Sequence, residues 1–157
     1  MDDDKYVLNT RNKEDFPPAH TAEHLLNQTM IRMFGCDRST NAHIERKKSK
    51  ISYILDHKPS KQEEKEIENK MNELIQEDLP VRYEFVNRNE IPKGVSLVNL
   101  PHDTSEKIRL VYIGDYDVCP CIGKHVRSTG QIGKFVLLGT NWDQATMSFR
   151  IRFKIVQ

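Results

Sequence analysis

Two motifs that lie far apart in the chain contain the residues best suited to chemistry. The first is His20-Thr-Ala-Glu-His24, and the second is Cys121-Ile-Gly-Lys-His125. Two histidines four positions apart on a helix lie on one face, one turn apart. A cysteine and a histidine on a loop can supply the other two ligands of a tetrahedral zinc site. The sequence therefore predicts a zinc site made by His20, His24, Cys121 and His125, provided that folding brings the two motifs together.

The first motif has other interpretations. His20 to His24 also fits the His-x-x-Glu-His pattern of inverted zinc peptidases, in which Glu23 is the general base. Against this, the chain is short for such an enzyme, and a Cys-x3-His pair would fill both remaining ligand positions. The site would then be closed unless water becomes a fifth ligand or displaces one of the four. A simpler interpretation of Glu23 is a carboxylate in the first turn of a helix, stabilised by the helix dipole. Each motif alone also occurs by chance in many chains.

Length and composition favour one globular domain. The chain has 157 residues, of which 37% are hydrophobic and 30% are charged, values typical of a soluble single domain. It contains no apolar run near the ~20 residues that a membrane-spanning helix needs. We expect one domain over residues 1–157, with residues 1–16 as a candidate flexible N-terminal segment. The net charge of +1 provides no overall attraction to nucleic acid.

The cysteines point to a reducing compartment. The chain starts with Met-Asp-Asp-Asp-Lys, the reverse of the basic start of a signal peptide. A cytoplasmic location is expected, and disulfides between Cys36, Cys119 and Cys121 are not. Only one proline separates Cys119 from Cys121, which favours metal ligands or neighbours of a metal.

The pattern of apolar residues predicts two long helices and about five strands. The first helix covers residues 19–34, is apolar around most of its circumference and ends at Gly35. The second begins with a capping box formed by Ser60 and Glu63 and ends before Pro80. Residues 114–133 read as a loop that carries the second motif. Strands are expected at residues 50–55, 81–86, 109–113, 134–138 and 146–156. This order favours an α+β fold.

Three segments together resemble a known family. They are His20-Thr-Ala-Glu-His-Leu-Leu26, Ile113-Gly-Asp-Tyr-Asp117 and the loop from Pro120 to Gly133, which reads Pro-Cys-Ile-Gly-Lys-His-Val-Arg-Ser-Thr-Gly-Gln-Ile-Gly. They are similar, in order and over nearly the whole chain, to the editing domain of alanyl-tRNA synthetase and its freestanding AlaX relatives. The editing domain of threonyl-tRNA synthetase is a more distant relative.

The resemblance implies a fold, a cofactor and an activity. The fold would be a two-layer sandwich of long helices on a mostly antiparallel sheet. By position, His20, His24, Cys121 and His125 would bind zinc. The activity would be hydrolysis of the ester between a wrong amino acid and the tRNA 3′ end, chiefly serine or glycine on the alanine tRNA. The chain resembles the short freestanding form, which acts in trans. The alternative is a zinc-containing module that binds tRNA or a synthetase without catalysis.

Some residues depart from the family pattern. The family loop usually reads Cys-Gly-Gly-Thr-His, whereas Ile122 and Lys124 replace its first glycine and its threonine here. Cys119 stands where relatives usually carry Gln, Glu or Asp. Residues 40–44 match a strand that sorts small hydroxyl amino acids, so Thr40 and His43 join Cys119 as candidate pocket residues. His43 is also the candidate proton carrier, and Lys124 the candidate group for phosphate or oxyanion charge.

Basic residues cluster in two places, at residues 46–50 and along the last strand. One interpretation is that they are solvated surface charges. The other is that they contact the phosphates of tRNA. On the second interpretation the contacts come from Lys47, Lys48, Arg127, Arg150 and Arg152.

Overall fold

The computed structural model describes residues 16–95 and 107–157. Within these ranges the chain forms two α-helices, seven strands and two short 3-10 helices, and all of the strand pairs are antiparallel. Residues 1–15 of the expected N-terminal segment lie outside the described residues, whereas Phe16 is buried. The extent of the domain stays a prediction. No helix in these ranges is long and apolar enough to cross a membrane.

Helix α1 spans Pro17–Phe34 and passes through the centre of the molecule. It begins at Pro17 rather than at the predicted residue 19. Proline is tolerated there, because the N–H groups of the first helical turn make no hydrogen bonds within the helix, so the N–H that proline lacks is not needed. It ends where Gly35 adopts a left-handed conformation, with φ of 67°. His24, Leu25 and Leu26 are all buried on it. The first histidine motif therefore lies in a helix that packing holds rigidly.

Helix α2 spans Lys61–Gln76 and packs against α1. Its predicted capping box is present: the Ser60 side chain accepts a hydrogen bond from the Glu63 N–H, and the Glu63 carboxylate accepts one from the Ser60 N–H. One face of the helix is buried, formed by Ile67, Met71, Leu74 and Ile75. This face and the apolar residues of α1 belong to one hydrophobic core.

The strands divide into two sheets. The first has the order β1-β2-β7-β6, and the second has the order β3-β4-β5. The first sheet is built from β1 (Asn41–His43), β2 (Ser49–Ile54), β6 (Lys134–Asp143) and β7 (Ser148–Val156). The second is built from β3 (Val81–Asn87), β4 (Lys107–Ile113) and β5 (Asp117–Pro120). The 3-10 helices are Arg88–Glu90, after β3, and Thr129–Ile132, before β6.

The four-stranded sheet has one apolar face and one basic face. Along β7, Phe149, Ile151 and Phe153 are buried in the core. Side chains alternate along a strand, so the residues between them lie on the opposite face. Arg150 and Lys154 are exposed there, and Arg152 is partly exposed.

The α+β class and the antiparallel pairing are confirmed, but the layering differs from the expected sandwich of long helices on one sheet. The described residues contain two helices, and their strands form two sheets. Strand β5 lies in the segment that reads as a loop, because four residues ending in Pro120 are too short to show an alternating pattern. The expected break after residue 138 is wrong: β6 continues to Asp143, with a register shift between Leu137 and Gly139. A Cβ at Gly139 would collide with the Arg152 guanidinium, so this glycine permits a close approach inside a strand rather than a turn.

The capping box gives a direct test of helix α2. We expect Ser60→Ala to lower the free energy of unfolding by about 1 kcal/mol, because the N–H of Glu63 loses its acceptor. Urea denaturation of the variant and of the parent protein measures the difference. Lys65→Ala, at an exposed position in the same helix, is the control and should change stability by less than about 0.5 kcal/mol. Equal effects of the two substitutions would contradict the role of the cap.

Candidate metal centre

The structure brings the two sequence motifs together. His20 and His24 from α1 meet Cys121 and His125 from the segment after β5, and their four ligand atoms lie within 4.8 Å of one another. The Sγ atom of Cys121 is 3.5 Å from Nε2 of His20. Tetrahedral zinc with bonds of about 2.3 Å to sulfur and 2.0–2.1 Å to nitrogen would place these two atoms about 3.6 Å apart. The separation of this pair of atoms is therefore the one that two ligands of a shared zinc ion require.

Hydrogen bonds to the outer nitrogens orient two of the imidazoles. Nδ1 of His20 lies 3.2 Å from the carbonyl oxygen of Lys124, and Nδ1 of His125 lies 2.9 Å from the hydroxyl of Thr21. The Thr21 hydroxyl also accepts a hydrogen bond from the N–H of Val126. A carbonyl oxygen only accepts, so Nδ1 of His20 is the donor and its Nε2 is left to bind a metal; His125 has the same arrangement in the tautomer in which its Nδ1 donates to the hydroxyl.

Unpaired polar atoms support a bound cation. Nε2 of His125 is buried and has no hydrogen-bond partner among the described residues. A buried nitrogen without a partner is costly, and a metal ion would supply the missing interaction. Nδ1 of His24 is also unpaired, with Oδ2 of Asp117 3.7 Å away. A carboxylate behind a ligating histidine is a common arrangement at zinc sites.

The protonation states of Cys121 and His125 also suit a metal. Burial raises the pKa of Cys121, but the neighbouring imidazoles of His125, His20 and His24 outweigh it and lower that pKa to about 2. Burial and the adjacent His24 and His20 lower the pKa of His125 to about 4. Burial lowers the pKa of His24, but Asp117 and Cys121 raise it to about 9. A thiolate and a neutral imidazole are the forms that bind metals, and a metal at this site would displace the proton from His24.

The loop that carries Cys121 and His125 is held in place by a glycine and an arginine. A Cβ at Gly123 would collide with the His20 ring, so this position of the Cys-x-Gly-x-His sequence must lack a side chain. Arg109 on β4 donates hydrogen bonds to the carbonyl oxygens of Cys121 and Gly123. The N–H of Cys121 donates in return to the carbonyl oxygen of Arg109, at 3.1 Å.

A pocket of about 290 Å³ lies directly beside the four predicted ligands. Three of them, His20, His24 and Cys121, form part of its wall. The predicted pocket residues Thr40 and Cys119 also line it. Burial raises the pKa of Cys119 to about 12, so its side chain is a neutral thiol. The remaining lining residues are Glu23, Asn27, Arg38, Ser39, Ala42, Pro120 and Ile122.

Asp117 anchors residues on two sides of the pocket. The buried Arg38 guanidinium donates two hydrogen bonds to it, at 2.7 and 3.1 Å. The side chain of Gln28 donates a third, at 2.9 Å. Although burial raises the pKa of Asp117, His24 and Arg38 outweigh this and hold it well below its usual range. Asp117 is therefore an anion that faces both Arg38 and the predicted ligand His24.

The structure does not bring His43 to the metal centre. Thr40, just before β1, and Ala42, within it, line the pocket, whereas side-chain alternation places His43 on the other side of the strand. His43 pairs in register with Lys50. It lines a separate hollow of about 270 Å³ on the outer face of the four-stranded sheet, together with Asn41, Lys50, Ser52 and Arg150. The proton carrier that the sequence suggested is thus on the wrong face for the metal pocket.

The other predicted residues lie at the surface. Lys124 is exposed on the metal loop, where its carbonyl oxygen contacts His20. The predicted tRNA-binding residues lie apart from one another: Lys47 and Lys48 precede β2, Arg127 follows the metal loop, and Arg150 and Arg152 lie on β7. All are exposed except Arg152, which is partly exposed.

Sequence reasoning missed several residues of the pocket. Glu23 lies in the second turn of α1, not the first, so the helix-dipole interpretation is wrong; the first turn contains no acidic residue. Its carboxylate is 3.7 Å from Nε2 of His20, and the His-x-x-Glu-His pattern was a signal for it. Asn27 and Arg38, which also line the pocket, had no such signal. Asp117 ends one of the segments that carry the family resemblance, but its contact with Arg38 forms only in the folded chain.

The fold and the site define an α+β domain in which three histidines and one cysteine that could hold a metal ion lie beside a small pocket. Residues 108–152 match the family described as "Threonyl and Alanyl tRNA synthetase second additional domain". The chain is 35% identical to the alanyl-tRNA editing protein AlaX-L of Pyrococcus horikoshii over 116 residues, which are 73% of this chain and 28% of that protein. The chain belongs to the family of AlaX-type editing domains, which alanyl-tRNA synthetase shares.

Two alanine–tRNA ligases show the same relation. The enzyme of Halorubrum lacusprofundi is 34% identical over 124 residues, covering 77% of this chain and 13% of the ligase. That of Methanopyrus kandleri is 31% identical over 156 residues, covering 98% of this chain and 16% of the ligase. The chain thus spans less than a third of the length of each of these curated relatives.

The metal centre predicts one zinc per chain in protein purified without added metal. The double variant Cys121→Ala, His125→Ala should lose the metal, because it removes two of the four ligands. Elemental analysis of purified protein measures both. Cys119→Ala is the matched control, since Cys119 lines the same pocket but lies outside the ligand group, and it should keep the zinc. Full zinc content in the double variant would show that other residues bind it.

Proposed function

We propose that this protein is a zinc-dependent hydrolase that removes a wrongly attached small amino acid from tRNA, with seryl- or glycyl-tRNA of the alanine type as the first expected substrate. The observation that carries the proposal is that three of the four predicted metal ligands form the wall of a pocket. The family supports it, because one relative is named an alanyl-tRNA editing protein. The proposal includes a cytoplasmic location.

The dimensions of the pocket favour a small aminoacyl group. Its volume of about 290 Å³ lies at the lower limit of the range usual for ligand pockets, about 300–1,000 Å³. Its lining combines neutral polar groups, such as the Thr40 hydroxyl and the Asn27 amide, with the apolar side chains of Ala42 and Ile122. Thr40 and Cys119 lie where they can contact the amino-acid side chain and so influence which one is accepted.

The reaction requires little chemistry beyond the placement of water, since an aminoacyl ester is already activated. Water attacks the ester carbonyl carbon, the bond from that carbon to the ribose oxygen breaks, and that oxygen takes up a proton. Glu23 lies at the pocket wall beside His20, where its carboxylate can accept the proton of the attacking water. Bound at the four ligands, zinc would supply positive charge that polarises the ester or holds the substrate amino group.

A second candidate function is a zinc-containing module that binds tRNA or a synthetase without hydrolysis. The observation that favours it is the number of protein ligands: His20, His24, Cys121 and His125 are enough to complete a tetrahedral zinc site, as in structural zinc sites. The same count argues against a peptidase, which needs an open ligand position for water. The pocket beside the ligands favours the hydrolase.

A deacylation panel separates the two functions. Zinc-loaded protein is incubated with seryl, glycyl and alanyl forms of the alanine tRNA and with seryl and threonyl forms of the threonine tRNA. We expect the seryl or glycyl form of the alanine tRNA to be hydrolysed fastest. Glu23→Gln should reduce the rate by about 100-fold or more, the usual effect of losing a general base, and should keep its zinc. Glu66→Gln, on the exposed side of α2, is the control.

Two outcomes of the panel would change the proposal. If none of the five substrates is hydrolysed while tRNA binding is intact, the non-catalytic module is the correct function. If Glu23→Gln is as active as Glu66→Gln, Glu23 is not the proton acceptor. Replacing Cys119 with Gln or Asp, as in relatives, should keep zinc and change the order in which the amino acids are removed.

Binding of tRNA should depend on salt through the surface cations. We expect each single alanine substitution of a predicted phosphate contact to weaken binding to all tRNAs equally. Each should also make the plot of log affinity against log salt concentration less steep, by about 0.7–0.9 units. The variants are Lys47→Ala, Lys48→Ala, Arg127→Ala, Arg150→Ala and Arg152→Ala. Lys65→Ala on α2 is the control. An affinity independent of salt would contradict this mode of binding.

A further inference from the structure

An exposed aromatic pair lies on the edge of the three-stranded sheet. Tyr83 and Phe85 are 43% and 65% exposed, and two positions apart on β3 they lie on the same face. Among the described residues, β3 pairs only with β4. Large aromatic side chains exposed together in this way are typical of a binding surface.

The strand register shows that this pair lies on the pocket side of the sheet. Tyr83 pairs with Val111 on β4, and Val111 pairs with Cys119 on β5. Directly paired residues of an antiparallel sheet share a face. Cys119 lines the metal pocket, so the face that carries Tyr83 and Phe85 is continuous with the pocket wall.

Direct contacts connect the aromatic pair to the metal loop. The Arg109 guanidinium lies 4.5 Å from the centre of the Tyr83 ring, and the same side chain donates hydrogen bonds to the carbonyl oxygens of Cys121 and Gly123. The ring centres of Tyr83 and His125 are 6.4 Å apart. The aromatic surface therefore begins at the edge of the metal centre.

The charge beside the aromatic pair suits a polyanion. Arg109 is the register partner of Phe85, and Lys107 lies two positions away on the same face of β4. Lys124 is exposed on the adjoining metal loop. Aromatic rings next to cations are the combination by which proteins bind single-stranded nucleic acid, since bases stack on the rings and phosphates meet the cations.

We propose that Tyr83 and Phe85 form a stacking surface for the unpaired bases at the 3′ end of tRNA. The terminal ribose, which carries the ester, would then reach the metal pocket while the preceding bases lie on the two rings. This inference rests on the proposed function and deepens it, because it names the residues that recognise the single-stranded end. The salt-dependent contacts proposed above concern the backbone of the tRNA.

Binding measurements with two tRNAs test the stacking surface. Zinc-loaded parent protein and variants are titrated with uncharged alanine tRNA and with the same tRNA lacking its last three nucleotides. Phe85→Ala should weaken binding of the intact tRNA by about 5-fold to 150-fold, the usual effect of losing one stacked ring. It should leave binding of the truncated tRNA unchanged. Phe85→Tyr should bind both tRNAs like the parent protein, since it keeps a ring.

The controls separate stacking from structural damage and from self-association. Tyr112→Ala removes a ring from the opposite face of β4, where it lies under Arg82, and should not distinguish the two tRNAs. Tyr83→Ala should behave like Phe85→Ala. Its zinc content is also measured, because Tyr83 contacts Arg109. If Tyr83→Ala loses zinc, Phe85→Ala and Phe85→Tyr alone test the stacking surface. Sedimentation of the parent protein and Phe85→Ala tests whether the β3 edge binds a second copy instead.

Three results would overturn the stacking surface. They are an unchanged affinity of Phe85→Ala for intact tRNA, an equal loss on both tRNAs, and a parent dimer that Phe85→Ala converts to monomer. Because the readout is binding, a failure here leaves the hydrolase intact if the deacylation panel is positive. A specific loss on intact tRNA with no deacylation supports the stacking surface in the non-catalytic module.

Discussion

The site depends on one contact, between the first turns of α1 and the loop that follows β5. Its requirements are strict, because the His20 ring packs directly over the backbone of Gly123 and Thr21 bridges the His125 ring and the N–H of Val126. The four ligand atoms meet only where these contacts form. Metal binding would in turn stabilise the contact, since a ligand that binds only the folded state adds its binding free energy to folding. The fold and the metal centre thus support each other.

The pocket depends in a similar way on a second contact, the buried pair of Arg38 and Asp117. Both side chains are almost fully buried, and they share two hydrogen bonds. Such a pair adds little net stability, but removing one partner typically costs about 3–5 kcal/mol, because the other charge stays buried alone. Asp117 also faces His24, at 3.7 Å, so one carboxylate lies between a predicted ligand and a residue of the pocket wall.

The sequence predicted the features that depend on residues close together in the chain, and it did not predict those that depend on distant residues. Local signals were reliable: the capping box at Ser60, the glycine that ends α1 and the histidine spacing all depend on neighbours within one or two turns. The division into two sheets was not predicted, because it depends on which strands pair, and β5 is too short to have a pattern. The face on which His43 lies also depends on pairing, since a strand of three residues has no periodicity from which to choose. Arg38 and Asp117 lie 79 positions apart, so only the fold could show that they form one unit.

The position of Glu23 shows how the proposed hydrolysis is compatible with four protein ligands on the metal. If four side chains fill the coordination of the metal, water has no place as a ligand, and another group must activate it. The α1 helix places such a group, because Glu23 lies three residues after His20 and its carboxylate reaches the same side of the pocket. In the proposed reaction, one helical turn would supply both a ligand and a base. The same spacing suggested a peptidase in the sequence, but the four predicted ligands leave no open position for the water that a peptidase needs. In the proposed reaction, the His-x-x-Glu-His pattern would thus place a carboxylate beside a metal, and Cys121 and His125, which complete the coordination, would decide which reaction the site performs.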